Sequence, residues 1–185
     1  DLPVFLKVLD ADLSGDLFAE PRYLVETTSA DGGESNLVRV HDAQRLGDEY
    51  VLVAMEFVEG GSILSRLTAG SFPMMEAVGA AVGILHGLGQ LHSALLVHRD
   101  IKPANVLLTQ RYGRIWPKIT DFGLARFKGA TTITKTGRVL GTAQYMSPEQ
   151  AHGHNIDQRS DLFSFGSVLY QMASGRPPFR ASSTL

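Results

Sequence analysis

The 185-residue chain is long enough for one domain with a real hydrophobic interior, and its 44% hydrophobic and 19% charged residues exclude intrinsic disorder and fibrous repeats. Seventeen Lys and Arg against nineteen Asp and Glu give a net charge of −2, so no bulk electrostatic attraction draws it to nucleic acid or an anionic membrane. Without cysteine it has no disulfides, thiolate zinc sites or cysteine nucleophiles.

Asp1-Leu2-Pro3 leads into a short apolar run with neither a basic region nor a cleavage site, so no secretory leader is expected. Val4 to Leu9, Leu37 to His41 and Tyr50 to Phe57 are rich in β-branched or aromatic residues and bounded by polar turns, which predicts strands. Between the first two, Pro21 followed by Arg22 to Ala30 predicts a helix closed by Asp31-Gly32-Gly33. Glu59-Gly60-Gly61-Ser62 breaks the pattern and sets a lobe boundary near residue 58. Beyond it the pattern predicts a short helix at Ser62 to Leu67 and a long apolar one from about Pro73 to Ser93. Short strands at Val106 to Thr109 and Lys118 to Ile119 follow, then a polar segment from Arg126 to Arg138. A helix from about Asp161 to Ser174 ends at Gly175.

The long helix invites a second reading. Ala77 to Val97 are 21 residues without Asp, Glu, Lys or Arg, and Gly79, Gly83 and Gly87 recur at the spacing of a membrane helix-pairing face. His86, Gln90, His92 and Ser93, with the low hydropathy of glycine, favour instead a buried helix of a folded domain, with no membrane span in this segment.

His98-Arg99-Asp100-Ile101-Lys102-Pro103-Ala104-Asn105 carries the six fixed residues of H-R-D-x-K-P-x-N. At average residue usage, chance supplies such a match in a chain of this length on the order of a few times in a million. Asp121-Phe122-Gly123, Gly141-Thr142, Ser147-Pro148-Glu149, Asp161 and Gly166 follow in order. On these residues, and over positions 4 to 179, the chain resembles the eukaryotic-like (Hanks-type) serine/threonine protein kinases.

The resemblance implies an α+β, two-lobed protein kinase-like fold, with an N-lobe portion at residues 1–57 and a mainly helical C-lobe portion at 58–185. It implies transfer of the γ-phosphoryl of MgATP to Ser or Thr hydroxyls of a protein substrate, a reaction in which positioning and charge stabilisation do most of the work. In it Asp100 orients the acceptor hydroxyl and takes its proton, Lys102 places positive charge near the moving phosphate, and Asn105 and Asp121 offer the hard oxygens that Mg²⁺ prefers. His98 and Phe122 take structural, spine-like places. Lys7, in Val-Phe-Leu-Lys, matches the phosphate-holding lysine, and Glu26, nineteen residues on, matches its ion-pair partner. Met55 matches the gatekeeper, and the Glu56 carbonyl and Val58 amide the adenine contacts of the hinge. Leu107 matches the apolar pocket floor. Asp161 matches the aspartate that accepts catalytic-loop amides, Lys102, Pro103 and Thr142 favour Ser/Thr over Tyr acceptors, and Arg99 awaits a phosphothreonine among Thr131, Thr132, Thr134 and Thr136.

The sequence also departs from the family. No glycine-rich loop precedes Lys7, the chain stops after Arg176-Pro177-Pro178-Phe179 without the last helices, and the arginine that pairs with Glu149 is absent. The expectation is a kinase domain truncated at both ends, weak or inactive alone, cytoplasmic, from a parent with any membrane anchor elsewhere. Phe5 stands where the family has a small alanine, and Glu34-Ser35-Asn36 where His-Pro-Asn is common. Phe5 keeps open a pseudokinase or nucleotide-binding scaffold as the alternative. A small-molecule phosphotransferase fits less well, because such relatives usually lack the Lys-Pro and Ser-Pro-Glu elements.

Overall fold

A computed structural model describes residues 3–10, 25, 28, 35–47, 49–122 and 143–179. The first sheet has three antiparallel strands in the order β1-β3-β2, formed by Val4–Asp10 (β1), Val40–Leu46 (β2) and Tyr50–Glu56 (β3). In the central strand Val51, Val53 and Met55 alternate inward and are buried, the period of two that a half-buried strand requires. The register sets Lys7 opposite Val53 and Phe5 opposite Met55. Of the helix expected at 22–30, Val25 and Thr28 are described, both helical, and the buried Thr28 hydroxyl accepts the Val40 amide at 3.0 Å.

The second strand differs from the sequence expectation: β2 begins at Val40, not Leu37. Leu37 and Val38 are both about 1% exposed, and two consecutive buried side chains cannot sit on a sheet with one wet face. Their backbone turns instead to the C-lobe, where Val38 donates to Ile119 O at 2.8 Å and Ile119 to Asn36 O at 2.7 Å. The strand that completes the sheet is an edge whose His41, Asp42, Gln44 and Arg45 show no apolar signal.

In the C-lobe portion, Ile63–Leu67 (α1) starts on a Ser62/Ser65 capping box, and Met74–Ser93 (α2) is the long apolar helix, ending where expected. By length and composition α2 could cross a membrane, but one face is filled by protein: Ala77, Ala80, Ile84, Leu88 and Leu91 are buried in the core. Val106–Arg111 (β4) and Arg114–Ile119 (β5) form a hairpin longer than the expected strands. Positive φ at Tyr112 and Gly113 supplies its two-residue turn, and Trp116-Pro117 conceals the strand in the sequence. Pro148–Ala151 (α3), unforeseen, is capped by Ser147. Gln158–Ser174 (α4) begins three residues before the expected Asp161, because Asp157 is the N-cap, and ends on left-handed Gly175. One buried core runs from Val51, Val53 and Met55 through Leu37 and Val38 to Ile84, Ile119, Val168 and Met172.

Candidate active site

The segment from His98 to Asn105 crosses the gap between α2 and β4 and closes in a 3₁₀ turn at Pro103–Asn105. Arg99 has φ 67° and Asp121 φ 65°, the left-handed region that costs non-glycine residues of order 1–3 kcal/mol. Surrounding hydrogen bonds hold the first of these. Asp161, in the first turn of α4 and 1% exposed, accepts the His98 amide at 2.8 Å on Oδ2, the Arg99 amide at 2.8 Å on Oδ1, and lies 2.9 Å from His92 Nε2. Gln150 Nε2 donates to the Arg99 carbonyl at 2.6 Å.

His98 is fully buried. Its Nδ1 accepts the Asp100 amide at 3.2 Å, so Nε2 carries the proton and donates to Thr120 O at 2.9 Å. Burial pushes this imidazole's pKa below 6.5, offset in part by the carboxylates of Asp161, Asp100 and Asp121 and by the Thr120 carbonyl. The neutral ring thus ties the Asp100 loop to the strand end that carries Asp121.

Asp100 Oδ2 takes Lys102 Nζ at 2.7 Å and Asn105 Nδ2 at 3.1 Å, and the same Asn105 nitrogen reaches the Asp100 carbonyl at 2.8 Å. Oδ1 of Asp100 has no hydrogen-bond partner among the described residues. With Nδ2 committed to two acceptors, the oxygen is the Asn105 side-chain atom that can serve as a ligand. Lys7 Nζ donates to Asp121 Oδ1 at 2.6 Å, joining β1 to the end of β5. Asn105 Oδ1 and the Asp121 carboxylate are a hard-oxygen pair of the kind that suits Mg²⁺, which commonly takes one or two protein ligands and completes its shell with phosphate and water.

Among the hinge residues Met55 is buried, Glu56 and Val58 are partly exposed and Phe57 is exposed. Leu107 is partly buried and bridges Ser62 across the hinge exit. Phe5 is half exposed, on the same strand face as Lys7. Glu149 accepts a hydrogen bond from Ser160 Oγ, which with the Ser147 hydroxyl holds its carboxyl below the usual range. Glu26, Thr142 and the threonines at 131–136 lie outside the described residues.

Three participants escape the motif reading. Lys118, on β5 and 4% exposed at its side chain, pairs with Glu56 at 2.8 Å and with the Leu37 carbonyl at 3.3 Å. A charged residue between apolar neighbours in an inward-facing strand was the signal available for it. His92 carries no local signal. Gln150 does, since Ser147-x-x-Gln150 has capping-box spacing.

Residues 17–185 match the family model described as protein kinase domain. The chain is 41% identical over 187 residues to the serine/threonine-protein kinase PknL of Mycobacterium tuberculosis, covering all of this chain and 46% of that protein. It is 38% identical over 191 residues to the kinase PknA of Corynebacterium glutamicum, covering 40% of it. A crystal structure of Rad53 residues 1–466 with AMP-PNP superposes with a TM-score of 0.75 at 26% identity, covering 97% of this chain and 43% of that one. The fold and site define a protein kinase-like catalytic segment. The chain belongs to the Hanks-type serine/threonine protein kinase family and spans less than half the length of these relatives.

Proposed function

We propose that the polypeptide carrying this segment transfers the γ-phosphoryl group of MgATP to serine or threonine hydroxyls of proteins in the cytoplasm. The observation that carries the reading is the placement of Asp100: Lys102 and Asn105 fix its carboxylate through Oδ2 while the side chain stays 26% exposed, so the group is both held and reachable. The Asp100 carboxylate accepts the proton of the acceptor O–H as the hydroxyl oxygen bonds to phosphorus and the bond from phosphorus to ADP breaks, a general-base role. The Lys102 ammonium, held beside that carboxylate, offsets charge on the moving phosphoryl group. Lys7 turns from Asp121 to the α- and β-phosphates, with Glu26 as its further partner. The Glu56 carbonyl and Val58 amide take the adenine edge, beside the Met55 gatekeeper and over Leu107. Asn105 and Asp121 would hold Mg²⁺, which would supply positive charge against the phosphates.

The AMP-PNP complex of Rad53 and the kinase names of the relatives support this assignment. A phosphothreonine within 126–138 would pair with Arg99, whose Nε has no partner among the described residues. Phosphoamino-acid analysis of a mixed protein acceptor after incubation with γ-labelled ATP tests the specificity. Label on serine and threonine supports it, and label on tyrosine overturns it.

A further inference from the structure

The carboxamide of Gln150 is held at both ends. Its oxygen accepts the Ser147 amide at 3.0 Å and the Ser147 hydroxyl at 3.1 Å, which fixes the side-chain nitrogen on the opposite side, 2.6 Å from the Arg99 carbonyl. The amide orientation therefore follows from three contacts. Arg99 is the left-handed residue directly before Asp100, and its peptide groups are gripped by side chains from two different helices. Asp161 of α4 takes the Arg99 amide, and Gln150 of α3 takes its carbonyl.

The peptide whose carbonyl Gln150 holds is the one that begins Asp100, so its tilt sets where the Asp100 carboxylate points. The base of α3 is itself fixed. Ser164 Oγ donates to the Tyr145 carbonyl at 2.7 Å, and Tyr145 OH to Gln171 Oε1 at 2.5 Å, locking residues 143–147 onto α4. Hydrogen bonds thus tie Tyr145 to α4 and the Ser147/Gln150 cap to the residue before the general base, and the covalent chain through Met146 joins the two sets.

We infer that Gln150 is a positioning residue for phosphoryl transfer, coupling the 143–150 segment to the orientation of Asp100. This inference rests on the kinase reading above. Asp161 secures the amides of the turn and Gln150 the carbonyl. Without the second hold, the Arg99–Asp100 peptide keeps only the 3.2 Å bond from its N–H to His98 Nδ1, so it tilts more readily while the fold stays intact, and Asp100 loses alignment rather than chemistry.

Gln150→Glu is the discriminating variant. It keeps an oxygen for the Ser147 cap, and so the capping box, but replaces the donor facing Arg99 by a second acceptor. In the complete polypeptide the expected result is a fall in kcat of about tenfold with KM for ATP and the far-UV circular dichroism spectrum unchanged, the signature of lost alignment in an intact fold. Gln150→Ala should show the same fall in kcat together with a lower Tm. Amide hydrogen exchange across Arg99 to Ile101, measured on the same proteins without nucleotide, should accelerate in both. Wild-type kcat and wild-type exchange in Gln150→Glu would overturn the inference. A wild-type polypeptide that transfers no phosphate contradicts the kinase reading instead, and the exchange rates still decide whether Gln150 holds the loop.

Discussion

Lys118 shows what a single buried charge does to the joint between the two portions. Its ammonium is satisfied by the Glu56 carboxylate and the Leu37 carbonyl, so one β5 side chain fixes both the hinge strand and the connection that enters β2. Removing the partner of a buried charge costs more than the pair contributes. Glu56→Ala should destabilise the protein by about 2–3 kcal/mol, below the full buried-pair range because the carboxylate is partly solvated. Lys118→Met, which fills the same space without a charge, should cost less. Urea denaturation of both variants checks the order, and equal losses would count against it. His98 gives a second residue-scale expectation. Its folded pKa lies below 6.5, so the unfolded chain binds the extra proton first, and stability rises with pH through that range. Its contribution is complete above 6.5 and is lost as pH falls below it. Between pH 7.5 and 5.5 the wild type should lose more stability than His98→Phe, and parallel losses would refute the assignment.

Among the elements, α2 is where glycine spacing has to be interpreted by contact. A Cβ on Gly83 would lie 2.5 Å from Pro117 Cγ, and one on Gly87 2.9 Å from both the Asn36 carbonyl and Ile119 Cδ1, whereas one on Gly79 meets nothing. Two of the three glycines thus let the helix settle on β5 and on the segment that Asn36 anchors through its 2.8 Å bond to Pro117 O. Gly83→Ala and Gly87→Ala should each cost about 1–3 kcal/mol by overpacking. Gly79→Ala should stabilise by about 0.5–1 kcal/mol, as expected in an open helix interior. Thermal unfolding of the three variants separates this account from one in which all three glycines face a partner helix in a membrane, where they would behave alike.

The same contacts explain what could be read in advance. The strands at Val4 and Tyr50, the long helix and the Gly175 stop carry their own local signals of alternation, apolar length and cap chemistry. The motif residues Asp100, Lys102, Asn105 and Asp121 were legible because they are close in sequence or joined by a known pattern. Leu37 and Val38 misled because their burial comes from β5, some eighty residues away, and not from the strand they precede. Lys118, His92 and Gln150 act through partners 50 to 70 residues distant, a separation that no window along the chain encompasses.

For the whole molecule, a net charge of −2 carried no information on phosphate binding, because the charges that matter are few and mutually arranged. Lys7 faces Asp121, Lys102 faces Asp100, and the strained turn between them is fastened by Asp161 and Gln150. We propose that this arrangement makes Asp100 a general base rather than a structural remnant in a nucleotide-binding scaffold. The most direct test compares γ-phosphoryl transfer from labelled MgATP to a protein acceptor by the complete wild-type polypeptide and by Asp100→Asn, with ATP binding measured on both. The account predicts equal ATP affinity and a transfer rate about 10²–10⁴-fold lower in the variant. Equal and negligible transfer by the two proteins, with ATP bound by both, would contradict it.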